Sequence, residues 1–212
     1  MLGVCGCLDN ERGLAICKEM MQWLTKEHIV FVAHQSPPGA LYEYPALWCV
    51  IDMAIRMGNP VLYVHTKGAG NAIPVAYKNT MMGPNVSVPV GATPEDCQRI
   101  VRSMWKHEFT GHRMQLYLDA VNTSRPTVAC PFTGKEKMTW QNGFVINPAG
   151  AEELRKTFHQ DSNRYYYESM FTHIDSIKVI GIISEKCDLN EPNHTTMWNL
   201  MWNYYEPNAS MV

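Results

Sequence analysis

The apolar positions of this chain switch between short runs and a helical stripe. Leu2 to Leu8 is an apolar run that predicts a buried strand, and Asp9 and Asn10 after it are suited to cap a helix. Ile16, Met20 and Leu24 recur at spacing four beside Cys17 and Met21, as one face of a helix. His28 to His34 predicts a second strand, ended by Ser36-Pro37-Pro38-Gly39. Pro45 marks a first helical turn, Leu47, Ile51 and Ile55 form its stripe, and Gly58-Asn59-Pro60 stops it. Val61 to Val64 predicts a third strand, which ends abruptly in His65-Thr66-Lys67-Gly68.

Residues 68 to 92 hold Gly, Pro and Asn without a period and predict a long loop. Thr93-Pro94-Glu95-Asp96 starts a helix bearing Ile100, Val101, Met104 and Trp105, and a further helical stretch runs to about Val121. Thr127 to Pro131 and Phe144 to Ile146 predict strands, and Asn147-Pro148 opens a helix through Leu154. Arg164 to Phe171 is expected to be helical, and Ile177 to Ile183 to form a fully apolar strand. Strands alternating with helices predict an α/β fold with helices on both faces of the sheet. No repeat or interdomain linker interrupts the 212 residues, so one domain over 1–212 is expected, large enough to bury its own core.

Charge narrows the partners. Lys and Arg total 18 against 20 acidic residues, and no basic stripe stands out, so the chain lacks the electrostatic footprint of a nucleic-acid binder. A local cationic site for a phosphorylated ligand stays open. The start Met-Leu-Gly-Val-Cys-Gly-Cys has no charged region before a long apolar run, and no segment nears the roughly 20 apolar residues of a membrane span. Seven scattered cysteines without a CxxC pair fit reduced thiols, and a cytoplasmic location is expected. His107 and His112 come close to a zinc-protease pair but are one residue too far apart: on one helix they would diverge by about 140°. GxGxxG, GxxxxGK[ST] and GxSxG are all absent.

Three segments carry candidate chemistry. In residues 60 to 71, an apolar strand delivers His65, Thr66 and Lys67 at its carboxyl end, followed by Gly68 and Gly70. Ligands of open α/β sheets bind beyond that end, glycine lets backbone approach them, and a lysine there is a point charge beside an anion. The ordinary alternative is a surface lysine after a strand. In residues 138 to 156, Trp140-Gln141-Asn142-Gly143 precedes a strand and a capped helix. Trp140 could stack on a sugar and Gln141 or Asn142 bond its hydroxyls, although an aromatic loop anchor with an Asn-Gly turn is the better reading of those residues alone. In residues 163 to 171, Glu168 sits among aromatic residues, where desolvation would make it a better base. An exposed helical glutamate paired with Arg164 at i,i+4 is again the simpler reading.

Taken together, HTKG at a strand end, NGFVINPAGAEEL and RYYYE resemble a family of bacterial polysaccharide-type glycosyltransferases, whose members pair a "YLHTKG" segment with later "GNFWW" and "R…E" segments. Order and spacing also resemble the GT-A glycosyltransferase fold, a Rossmann-like, mixed and mostly parallel sheet. The likeness covers the layout of about residues 1 to 185, and closely only these three motifs. It implies an inverting, hexosyltransferase-type enzyme that moves a sugar from a nucleotide-diphosphate-sugar donor to a carbohydrate acceptor. By resemblance, Glu168 is the base. The donor side comprises Cys7, Leu8, Asp9, Asn10, Tyr42, Glu43, His65, Thr66, Lys67 and Gly68. The acceptor side comprises Trp140, Gln141, Asn142, Gly143 and Arg164. GT-A members hold a metal and the donor diphosphate with Asp-x-Asp, where this chain has His65-Thr66-Lys67. Lys67 is therefore expected to replace the metal, with no cofactor required; manganese or magnesium would find no carboxylate there. The same departure leaves an alternative: a non-catalytic nucleotide- or carbohydrate-binding protein on the same fold. Donor sugar and base, acceptor, linkage and oligomeric state are open.

Overall fold

The structure is a computed structural model, and it describes residues 2–6, 30–34, 43–65, 99, 103–104, 106–134, 136–139, 143–161 and 166–183. The expected helix over residues 9–24, the loop over 68–92 and the start of a helix at Thr93 lie outside these residues.

Among the described residues, six strands form one sheet: β1 (Leu2–Gly6), β2 (Val30–His34), β3 (Val61–His65), β4 (Thr127–Cys130), β5 (Phe144–Ile146) and β6 (Lys178–Gly181), in the order β2-β1-β3-β5-β4-β6. β1 pairs in parallel with both β2 and β3, and β4 with β6, whereas β5 is antiparallel to β3 and β4. Five strands thus point one way and β5 alone is reversed, so the fold is mixed α/β. The helices among the described residues include α1 (Tyr44–Met57), α2 (Gly111–Val121), α3 (Pro148–Thr157) and α4 (Tyr166–Ser169), with further helical residues at 103–104 and 106–108 before α2.

α1 forms where its stripe predicts it. Pro45 occupies the first turn, where no backbone donor is needed, and Gly58 ends the helix in the left-handed region at φ 62°. Leu47, Val50, Ile51 and Ala54 are buried, Ile55 only partly. They meet Val61 and Tyr63 of β3, Val128 and Cys130 of β4, Phe144 and Ile146 of β5, and Ala151 and Leu154 of α3 in one core. Each fully buried Leu or Ile contributes about 1.5–3 kcal/mol relative to exposure. The alternate strand residues Leu62, Val64, Ala129 and Val145 are also buried, so both faces of the sheet are covered. α2 packs along β4 and β5 with Tyr117 and Val121 inward, and neither belongs to the first core.

At the edge where β5 ends, Asn147 ties four segments together. Its Oδ1 accepts from the amides of Thr127 and Gly150, and its Nδ2 donates to the carbonyls of Val121, Thr123 and Arg125. The first two bonds start β4 and cap α3; the other three fix the turn between α2 and β4. Before α2, the helical pattern breaks: Thr110 is extended at φ −128° and Gly111 has φ 53°. His107 and His112 therefore lie on separate helical segments. Around this break the fully buried Glu108 carboxylate is held by the Arg113 guanidinium, the Tyr117 hydroxyl at 2.9 Å and the His107 ring at 2.9 Å.

One strand differs from expectation at its ends: β6 covers only Lys178–Gly181. β1 is described over Leu2–Gly6, and residues 7 and 8 lie outside the described residues. β6 is the sheet's edge, with Lys178 exposed and Val179 and Ile180 half-buried, so its apolar sequence does not make it a central strand.

Candidate active site

Three strand ends meet at one edge of the sheet. β1 is described to Gly6 and β3 to His65, and their register pairs Cys5 with His65, so their carboxyl-side residues lie side by side. From β1 the chain goes to β2 on one side and then to β3 on the other. That reversal of direction is a topological switch point, where a crevice opens outside the carboxyl ends of open α/β sheets. Because β5 is reversed, its first residue comes to this same edge: Phe144 pairs with Tyr63, and the buried Gly143 leads into it. A reversed strand in this position brings Gly143, from the second half of the chain, to the edge where β3 ends.

Two helix ends reach the edge as well. α1 leads down into β3, so its N-terminal end lies at the carboxyl side; α3 starts where β5 ends and climbs back. They meet there: the Tyr44 ring stacks on Phe158, the residue closing α3, with centroids 5.2 Å apart and planes 13° from parallel. Phe158 also contacts Tyr166 and Tyr167 of α4, both at 6.3 Å. The Tyr167 hydroxyl accepts from the Asp161 amide at 3.0 Å and donates to the Asp161 carbonyl at 3.1 Å. Burial raises the pKa of this hydroxyl above its ordinary value, and the charges of Asp161 and Glu43 push the same way. Glu43, the N-cap of α1, is thus an electrostatic neighbour of α4; its side chain makes no capping bond. The chain after α4 turns Phe171 edge-on against Phe144, at 5.3 Å and 89°.

The structure therefore brings together several predicted positions. His65 ends β3, Gly143 precedes β5, Glu43 caps α1, and Glu168 belongs to the backbone of α4. Cys7, Leu8, Asp9, Asn10, Tyr42, Thr66, Lys67, Gly68, Trp140, Gln141, Asn142 and Arg164 lie outside the described residues. In sequence, Cys7 follows the end of β1, Thr66 the end of β3, and Asn142 precedes Gly143. Among the described residues, no three of His, Cys, Asp and Glu come together to hold a metal ion, and no helix is long and apolar enough to cross a membrane.

Sequence reasoning passed over Tyr63, Phe144 and Phe171, which line the inner side of this edge. Tyr63 and Phe144 are cross-strand partners with ring centroids 5.3 Å apart. The available signal was their type: large aromatics in one strand and at the start of another. Compared with known proteins, the chain matches no family model, and neither a curated protein nor a solved structure is significantly similar to it.

Proposed function

We propose that this chain is a glycosyltransferase of GT-A-like architecture that moves a sugar from a nucleotide-diphosphate-sugar donor to a carbohydrate acceptor. The carrying observation is the register of three strands: Cys5 opposite His65, and Tyr63 opposite Phe144. It supports a cleft whose donor wall follows β1 and β3 and whose acceptor wall precedes β5. Cys7, Leu8, Asp9 and Asn10 then serve the nucleotide, with Tyr42 and Glu43 beside them, and His65, Thr66, Lys67 and Gly68 the diphosphate. Trp140, Gln141, Asn142, Gly143 and Arg164 serve the acceptor.

In the reaction, an acceptor hydroxyl oxygen attacks the anomeric carbon as the bond to the diphosphate breaks. The bonding pair leaves with the diphosphate, the hydroxyl proton goes to the Glu168 carboxylate, and in-line attack inverts the anomeric centre. Charge grows on the diphosphate as the sugar becomes oxocarbenium-like, and the Lys67 ammonium stabilises it. With His65-Thr66-Lys67 offering no carboxylate, turnover needs no divalent metal. The enzyme would work in the cytoplasm.

The test is turnover of UDP-, GDP-, CDP- and dTDP-sugars by the full chain, with manganese and with EDTA. Turnover that survives EDTA and falls at least a hundredfold in Lys67→Ala supports the reading. Binding of a nucleotide without turnover of any donor would replace the enzyme with a non-catalytic binding protein.

A further inference from the structure

We propose that Phe171 is a positioning residue, which holds the helix carrying Glu168 at a fixed distance from the tip of β3; this rests on the glycosyltransferase reading above. Three rings make the link. Phe171 meets Phe144 edge-on at 5.3 Å, and Phe144 meets Tyr63 at 5.3 Å. All three rings are essentially without solvent exposure. Tyr63 stands two residues before His65, and Phe171 three residues after Glu168. The stack thus spans from the strand that presents the donor-side residues to the segment that presents the base.

α4 is described over Tyr166–Ser169. Tyr166 packs on Phe158 at 6.3 Å, and the Tyr167 hydroxyl is bonded on both sides to the backbone of Asp161. These anchors tie α4 to the end of α3 and to Asp161. Phe171 adds the tie toward β5 and β3, and edge-to-face geometry prefers a particular ring angle where aliphatic packing does not. The turn after α4 keeps Phe171 in place: Thr172 N–H bonds the Ser169 carbonyl at 2.8 Å and Ile174 N–H the Phe171 carbonyl at 3.2 Å. A base displaced by about 1 Å loses on the order of a hundredfold in rate while substrate binding is spared.

The experiment compares Phe171→Leu, Phe144→Leu, their double variant, Glu168→Gln and a core control, Ile51→Val, in turnover of the donor identified above. Phe171→Leu is expected to lower kcat about tenfold to a hundredfold with donor KM unchanged, and to shift the acid limb of the kcat–pH profile. Phe144→Leu should do the same, and the double variant should be no worse than either single one, because both break one link. Ile51→Val, which costs stability in the same core but keeps all three rings, should leave the profile alone. Loss of kcat in Phe171→Leu with an unmoved acid limb, or losses that multiply in the double variant, overturns the positioning role. Glu168→Gln separates the two ideas. If it stays active, the base assignment and the positioning role both fail; if it is inactive while Phe171→Leu turns over normally, only the positioning role fails.

Discussion

Asn147 Oδ1 accepts from the Thr127 amide at 3.0 Å, joining the start of β4 to the start of α3 across the amino edge of the sheet. Asn147→Ala removes this bond, the Gly150 cap and three carbonyl partners at once, and leaves two buried amides unpaired. The expected loss is about 3 kcal/mol or more, since each orphaned buried group costs about 1–3 kcal/mol. Asn147→Asp should do no better, because an oxygen would then face the carbonyls of Val121, Thr123 and Arg125. Urea unfolding with an unchanged slope checks both.

Gly150→Ala should destabilise although it sits in a helix. Alanine ordinarily gains about 1 kcal/mol over glycine there. Here its Cβ would lie 3.0 Å from Asn147 Oδ1, 3.0 Å from the Thr127 carbonyl oxygen and 3.1 Å from Ile146 Cγ1. The carbonyl belongs to a strand and cannot yield as a flexible side chain would, so a net loss of about 1–3 kcal/mol is expected. A rise in melting temperature would show that the strand moves aside.

Tyr117→Phe removes one hydroxyl from a buried carboxylate. Its bond to Glu108 is 2.9 Å long and lies out of solvent. Hydrogen bonds to charged groups are worth about 1.5–3 kcal/mol, and this loss should be read in chemical denaturation. Ring packing on Phe109 at 5.0 Å survives the change, so the effect isolates the hydroxyl.

Glu153 links acid to stability. Bonds from Lys156 and from the Ser176 hydroxyl hold its carboxyl below the ordinary 4.5. The folded chain thus binds this proton less tightly than the unfolded chain does. Its contribution is complete above about pH 4.5 and fades as pH falls through the lower folded value. Glu153→Gln should slightly lower the melting temperature at neutral pH and flatten its decline below that point.

A nucleoside diphosphate should raise the melting temperature of the full chain, and Lys67→Ala should abolish the rise. At a hundred times its dissociation constant, a ligand of the native state adds about 2.7 kcal/mol. An equal shift in the variant would remove Lys67 from the diphosphate site.

Local signals were legible and pairings were not. The stripe at Leu47 and Ile51, the stop at Gly58 and the cap at Asn147-Pro148 depend on neighbours within a few residues, and each stands as the sequence implies. The apolar spacing gives a further helical stretch to Val121 but not its start, because a single glycine inside a helical pattern is tolerated; Thr110-Gly111 marks that start. The reversal of β5 has no local trace: an inward-outward alternation is the same in both directions. For the same reason the meeting of Gly143 with the tip of β3 could not be read, nor the three carbonyls gathered by the Asn147 amide. The segments over 7–10, 66–68 and 140–142 were found by residue type, and the strand register relates their flanking strand ends.

Strand β5 has only three residues, yet among the described residues it alone joins the group β2-β1-β3 to the pair β4-β6. A growing polypeptide can join its first three strands once residue 65 has emerged, but the seam waits for residues 144 to 146. Closing so wide a span is slow. Until then the newborn chain exposes the flank of β3 that β5 will cover, and this is the stage at which wrong pairing with another molecule competes with maturation.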